Sequence, residues 1–327
     1  MNISPELVLT DLDAAAFETQ CLAIFRRQAS GCAVYREYIS HLGINPAAIV
    51  RSDDIPFLPI GFFKTHEIKS ADAAAAIVFT SSGTTGMVQS RHPVTDLSWY
   101  KQSYLQAFRR FYGDPGDFCI LALLPAYLER EGSSLIYMAD DLLKKSRHPL
   151  SGYFLHNHTE LAAALQELKL SGQKTILLGV TYALLDFIEI YPTDFPDLIV
   201  METGGMKGRR KEMVREELHE TLCAGFGVQE IHSEYGMTEL LSQAYSPGQG
   251  RFFCPPWMKI RLRDTNDPLS PVQSGKTGGI NVIDLANINS CSFIATQDLG
   301  RLYPDGSFEV LGRFDHADIR GCNLLVQ

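Results

Sequence analysis

The sequence has no apolar run able to cross a bilayer. Its longest, Ile120 to Tyr127 and Thr175 to Leu185, are too short or too broken, since a spanning helix needs ~20 consecutive apolar residues. Met1 to Thr10 lack the basic stretch leading into an apolar core that marks a signal peptide, and a cytoplasmic location is the expectation. Positive charge is scarce as well. There are 29 Lys and Arg against 38 Asp and Glu, a formal net charge of −9, whereas a nucleic-acid binder shows a basic patch or stripe. The dense basic cluster Lys207-Gly208-Arg209-Arg210-Lys211 is followed closely by Glu212, Glu216 and Glu217 and reads as a solvated helix face. No nucleic-acid partner and no membrane span are therefore expected. Paired cysteines are missing. The seven (Cys21, Cys32, Cys119, Cys223, Cys254, Cys291, Cys322) are scattered and form no CxxC, which argues against a disulfide framework and against a zinc knuckle. Cys254 and His232 lack a second ligand pair, so no structural metal is expected. Internal repeats and low-complexity tracts are absent. So are a Walker loop and a strand followed by GxGxxG.

What is present is an ordinary folded composition, 45% hydrophobic and 20% charged over 327 residues, enough for one large domain or two. Asp11 is placed to cap a helix through Phe25, and Cys32 to Leu42 forms another. Pro56 and Pro59 punctuate an extended stretch from Ile55 to Phe63. Short apolar runs then alternate with helical segments. Strands are expected at Ala74 to Phe79, Phe118 to Leu124, Tyr153-Phe154, Lys174 to Gly179 and Leu198 to Glu202. Helices are expected at Asp96 to Phe111, Ser133 to Leu143, Thr159 to Leu170, Thr181 to Ile190 and Lys211 to Leu222. Such alternation implies βαβ units and a mostly parallel sheet. After about Pro247 the texture changes to short strand-like runs, Lys259 to Leu262, Gly279 to Asp284, Gly300 to Leu302 and Phe308 to Leu311, separated by turn signals. The expected organisation is a helical segment over 1–70, an α/β core over 71–250 and a β-rich subdomain over 251–327.

The sharpest local signal is Thr80-Ser81-Ser82-Gly83-Thr84-Thr85-Gly86, five hydroxyls and two glycines directly after a strand. Gly83 and Gly86 allow successive N–H groups to aim into one concavity, and the hydroxyls add donors, an arrangement suited to a polyphosphate. The plain alternative is a Ser/Gly turn. Ser233-Glu234-Tyr235-Gly236-Met237-Thr238-Glu239 offers an aromatic face for a purine, a hydroxyl for phosphate and a carboxylate for Mg²⁺. Asp298 offers a carboxylate for both hydroxyls of a ribose, and Gly312-Arg313-Phe314-Asp315 follows it. Arg313 has its own bland reading, a hairpin ion pair with Asp315. His66, His92 and His232 read first as structural histidines, although His92 is close enough to the loop to line an acid pocket. Trp257 reads as core.

Together and in this order, the three segments resemble the core motifs of the adenylate-forming superfamily of acyl-CoA synthetases, firefly luciferase and nonribosomal adenylation domains. Ser90-Arg91-His92, Leu124 to Arg130, Gly204 to Arg210 and Ile319-Arg320-Gly321-Cys322 are most similar to the acyl-protein synthetase family of bacterial bioluminescence. Phenylacetate-CoA ligases come next. The resemblance spans residues 55 to 327. It implies an α/β fold of the acyl-CoA synthetase type, with mostly parallel sheets and a β-rich C-terminal subdomain. Two departures stand out. Met87-Val88-Gln89-Ser90 replaces the usual Pro-Lys-Gly, and the mobile C-terminal lid domain with its late lysine is largely missing.

The resemblance implies ATP-dependent activation of a carboxylic acid, fatty or aryl, to an acyl-adenylate, followed by transfer to a thiol. Thr80 to Gly86 would hold the β- and γ-phosphates. Gly204 and Gly205 would let backbone approach the adenine, with Tyr235 stacked on it. Glu234, Gly236 and Met237 belong to the same nucleotide-binding segment. Thr238 would contact the α-phosphate, Glu239 the Mg²⁺ and Asp298 the ribose, and Arg313 would reach the nucleotide. Lys207 or Arg209 would supply charge in place of the missing lysine. Cys322 would carry the acyl group as a thioester for delivery to an acyl reductase, with Arg313 and Arg320 favouring its thiolate. The alternatives are a ligase that delivers to coenzyme A or an acyl carrier protein with Cys322 idle, and a non-catalytic scaffold of a reductase complex.

Overall fold

In a computed structural model, residues 4–70, 73–81, 88–124, 132–204, 213–272 and 275–313 are described. The amino-terminal part is helical: α1 (Pro5–Val8), α2 (Ala14–Gly31) and α3 (Ala33–His41). Helix α2 is capped by Asp13, which accepts from the Ala16 N–H, and not by Asp11 as the sequence predicts. Asp11 is exposed and pairs with Arg110 instead. The chain continues through β1 (Leu58–Pro59) and α4 (Phe62–Thr65) to the hairpin of β2 (Ile77–Thr80) and β3 (Arg91–Val94). Next come α5 (Leu97–Phe111), β4 (Cys119–Leu123), α6 (Ser134–Ser146), β5 (Gly152–Tyr153), α7 (His158–Ser171), β6 (Thr175–Val180), α8 (Thr181–Ile190), β7 (Ile199–Thr203), α9 (Arg215–Phe226), β8 (His232–Tyr235) and β9 (Ala244–Ser246). The carboxyl-terminal part is β10 (Met258–Arg263), β11 (Thr277–Asp284), β12 (Phe293–Leu302) and β13 (Phe308–Arg313).

The βαβ alternation folds as expected. Six strands lie in the order β5-β4-β6-β7-β8-β9. All neighbours in this sheet are parallel except the β8–β9 pair. Every residue of β4 and β6 is buried, as required of strands covered on both faces. The second sheet runs β1-β12-β11-β10, with β13 also on β12, and its antiparallel pairs follow the turn signals of the sequence. Strand β1 joins this sheet in parallel, Leu58 opposite Ile294. It lies on the sheet edge, where a proline is tolerated because its missing N–H breaks no ladder.

The amino-terminal helices close on this second sheet. Buried Gln28 donates to the carbonyls of Asn287 (3.0 Å) and Ile288 (3.1 Å) and accepts from the Ser292 N–H (2.9 Å). Phe25 and Tyr35 pack against Phe293. No helix among the described residues is long and apolar enough to cross a membrane.

Candidate functional site

The site begins at the base of the hydroxyl-rich loop. Strands β2 and β3 pair antiparallel with Phe79 opposite His92 and Thr80 opposite Arg91. Past the last pair, the Ser81 N–H donates to the Ser90 carbonyl (3.1 Å) and the Ser90 N–H returns to Ser81 Oγ (2.9 Å). The Thr80 N–H donates to the Gly132 carbonyl at 2.8 Å. Gly132 has φ +84°, and a Cβ there would lie 3.0 Å from Thr80 Oγ1, so this approach needs glycine. Thr80 and Ser81 are thus fixed at the loop mouth. Ser82, Gly83, Thr84, Thr85 and Gly86 lie outside the described residues, as do Gly205, Lys207, Arg209 and Cys322.

A second group of polar residues collects where β7 and β8 end side by side, Thr203 opposite Glu234. Thr203 Oγ1 donates to Glu234 Oε2 at 2.6 Å. Burial, with the charge of nearby Glu202, pushes the Glu234 carboxyl up to about 7. Burial acts on Glu202 in the same direction, but the nearby His219 ring and the Arg215 guanidinium hold its carboxyl below the usual range. Arg215 Nη1 reaches Glu202 Oε1 at 2.9 Å. Thr181 Oγ1 lies 2.7 Å from the Gly204 carbonyl, tying down the strand end just where Gly204 turns with φ +72°. Gly236 carries no side chain for a steric reason, since a Cβ there would meet Glu234 Oε1 at 2.4 Å.

Tyr235 and Asp298 meet directly. The Tyr235 hydroxyl donates to Asp298 Oδ2 at 2.8 Å, and the Asp298 Oδ1 receives Arg313 Nε at 3.1 Å. The Tyr235 ring is buried edge-to-face against Phe252 and Phe308. A β-bulge sets the partner of Asp298. Leu299 faces Gly312 but Gly300 faces Val310, which leaves Leu311 unpaired and brings Arg313 opposite Asp298. Gly312 accommodates the bulge with φ +144°. Arg313 therefore pairs with Asp298, and Asp315 lies outside the described residues.

Thr238 and Glu239 occupy the turn after β8, next to Met237, whose carbonyl accepts from the Leu240 N–H. The Glu239 carboxyl is raised by burial, against the influence of nearby Ser90 and the positive charges of Arg313 and Lys64. Hydrogen bonds thus join Ser81 to Ser90 at the loop mouth and Arg313 and Tyr235 to Asp298, and the buried Glu239 carboxylate lies in the field of Arg313 and Lys64. A hydroxyl-bearing loop mouth and a buried carboxylate in the field of two cations suit a polyphosphate with its counter-ion. Sequence reasoning missed Lys64, Glu202, Arg215 and Asn287, which come from distant segments and carry no local motif. Ser90 stood beside the loop, but only the hairpin register brings it to Ser81. His232 and Trp257 are packed as structural side chains, whereas His66 is exposed. His66 stacks on Phe62, His232 lies 3.2 Å from the Tyr112 hydroxyl, and the buried Trp257 Nε1–H reaches Ser103 Oγ at 3.0 Å.

Comparison with known proteins places this geometry. The family described as acyl-protein synthetase, LuxE, matches residues 154–327, just over half of the chain. The long-chain-fatty-acid–luciferin-component ligase of Vibrio harveyi is 24% identical over 312 residues, covering 89% of this chain and 82% of that protein. Among solved structures, 2-hydroxyisobutyryl-CoA ligase in an open conformation with 2-HIB-AMP and CoA superposes with a TM-score of 0.67 at 14% identity, covering 92% of this chain and 70% of that one. ATP-bound MatB from Rhodopseudomonas palustris superposes with a TM-score of 0.56 at 17% identity, covering 75% of this chain and half of that one. The α/β fold expected from the motifs is the fold of these ligases.

Proposed function

The chain belongs to the acyl-protein synthetase, LuxE, family, and we propose that it activates a long-chain fatty acid with ATP and carries the acyl group on Cys322. The acid carboxylate attacks the α-phosphorus, the bond between the α-phosphorus and the bridging oxygen breaks, and pyrophosphate leaves. The Cys322 thiolate then attacks the acyl carbonyl and AMP leaves. Bringing a carboxylate to a polyphosphate opposes two anions, so neutralisation and alignment carry the first step.

The single observation that supports this reading is that the buried Glu239 carboxylate feels the positive charge of Arg313, the same side chain that pairs with Asp298 beside the Tyr235 hydroxyl. Ser81 and the hydroxyl loop hold the β- and γ-phosphates. Arg313 and Lys64 supply positive charge, and Lys207 would add to it as the family resemblance implies. Asp298, aimed by the Tyr235 hydroxyl, receives the ribose, and Gly204 and the Tyr235 segment, from Glu234 to Met237, bound the base. Glu239 and the Thr238 hydroxyl are hard oxygen donors of the kind Mg²⁺ takes, and burial raises the Glu239 carboxyl. When bound there, Mg²⁺ would neutralise phosphate charge.

The Cys322 assignment draws on the other cysteines. Burial pushes the thiols of Cys21, Cys32, Cys119, Cys223, Cys254 and Cys291 up, away from the thiolate that transfer requires. The long-chain acid follows the name of the Vibrio harveyi relative, and an acyl reductase is the natural consumer of a protein-bound thioester. Acid-dependent ATP–pyrophosphate exchange, run over fatty and aryl acids, tests the reading. Exchange with long-chain acids is expected, and no exchange with any acid would refute it.

A further inference from the structure

Residues 238–242 form the short turn that presents Thr238 and Glu239, and four buried side-chain contacts hold its backbone, with a fifth on the Ser242 hydroxyl. Asp284, at the end of β11, accepts from the N–H groups of Leu241 (2.7 Å) and Ser242 (3.0 Å) and from Ser242 Oγ (2.6 Å). The other two contacts fall on successive carbonyls. His92 Nδ1 lies 2.8 Å from the Thr238 oxygen, and Asn287 Nδ2 donates to the Glu239 oxygen at 2.7 Å. Both side chains are fully buried. They come from different parts of the fold: His92 from β3, directly beyond the phosphate-loop mouth, and Asn287 from the turn that follows Asp284.

His92 Nδ1 faces a carbonyl, which accepts only, so Nδ1 must carry a proton to bond the Thr238 oxygen. The ring packs edge-on to Phe63 and touches no bond of the proposed reaction.

We propose that His92 and Asn287 are positioning residues that clamp the Thr238 and Glu239 carbonyls, and so fix the Thr238 hydroxyl and the Glu239 carboxylate relative to the phosphate loop. This rests on the reading of Thr238 and Glu239 given above. The clamp ties the two halves of the nucleotide site together, because His92 moves with β3 and the loop it follows. Outer-shell partners of this kind typically contribute ~10–100-fold to metal affinity or activity when removed.

The test compares His92→Asn, His92→Gln and Asn287→Ala. An asparagine amide nitrogen stands where Nδ1 stood, whereas a glutamine amide stands where Nε2 stood. Both substitutions remove the ring from Phe63, so their melting temperatures should fall together. Only His92→Gln should lose ~10–100-fold in Mg²⁺-dependent ATP affinity by calorimetry and in kcat/KM for exchange, and His92→Asn should be largely rescued. Asn287→Ala should resemble His92→Gln. Equal losses in His92→Asn and His92→Gln, or wild-type affinity in both, would overturn the clamp. Nitrogen NMR of the wild-type protein needs no variant to fold: a His92 ring protonated on Nε2 would also overturn it. Glu239→Gln separates the two levels of the argument. If it leaves the Mg²⁺ dependence of ATP binding unchanged, the reading of Glu239 fails, whatever the His92 variants do.

Discussion

The two contacts on Asp298 differ in setting, and that difference predicts a separation of stability from binding. Tyr235 and Asp298 are 8% and 5% exposed, and the hydroxyl sits 2.8 Å from Oδ2. Tyr235→Phe keeps the ring between Phe252 and Phe308 and removes only this donor. A buried hydrogen bond to a charged group is worth ~1.5–3 kcal/mol. The Arg313 side chain is 74% exposed, so its ion pair with Asp298 should contribute ~0–1 kcal/mol after solvent screening. Tyr235→Phe should therefore lower the midpoint of urea unfolding clearly, while Arg313→Met should barely move it. Nucleotide binding should show the opposite order, because in the proposed site Arg313 supplies charge at the phosphates, whereas the Tyr235 hydroxyl aims Asp298 and Tyr235→Phe leaves the ring in place. Urea titration followed by fluorescence, with calorimetry for ATP, measures both. A wild-type midpoint in Tyr235→Phe, or an equal destabilisation by Arg313→Met, would refute the assignment of the buried bond as the structural one.

Three further outcomes are expected. Replacing Thr84 and Thr85 with alanine should abolish acid-dependent pyrophosphate exchange while the melting temperature stays close to wild type, because loop hydroxyls cost little stability; unchanged exchange would end the phosphate-loop assignment. Asp298→Ala should weaken ATP binding sharply in calorimetry, since a site built to pair ribose hydroxyls loses its acceptor. Glu234 gives a pH dependence. Its folded value of about 7 lies above the ordinary 4.5, so between those limits the native state holds a proton that the unfolded chain has released. Its contribution is present in full below about pH 4.5 and is lost as the pH rises through 7. Melting curves should show wild type losing stability relative to Glu234→Gln from pH 5 to pH 8, and parallel curves would contradict the burial of this carboxyl.

The sequence made the architecture legible because periodicity and turn chemistry are local. The run Thr181 to Ile190 is a helix with those same ends, and Asp96 caps α5 as its position implies. What stayed hidden depends on pairing across the chain. Strand β12 reaches back to Phe293, since Phe293 to Ala295 gains its partners from β1 and β11 and has no turn signal of its own. Three-residue β9 carries too little pattern to be seen, and it exists because β8 offers it an edge. The site shows the same division. Motifs marked Thr80, Tyr235, Glu239 and Asp298, whose residue types state their chemistry. The bond between Tyr235 and Asp298, and the clamp from His92 and Asn287, join residues 63 and 146 or 48 positions apart. Only the folded chain brings those together.

The central claim is that activation and acyl transfer are separate steps on one chain, the second at Cys322. Intact-protein mass spectrometry tests it most directly, on wild type and Cys322→Ser after incubation with ATP, Mg²⁺ and a long-chain fatty acid, with pyrophosphate release followed in parallel. Serine keeps the size of the side chain but is a far poorer nucleophile near neutral pH. Wild type should release pyrophosphate and gain one acyl mass that hydroxylamine removes, whereas Cys322→Ser should release pyrophosphate and gain none. Acylated Cys322→Ser, or wild type that releases pyrophosphate without ever gaining mass, would contradict the account.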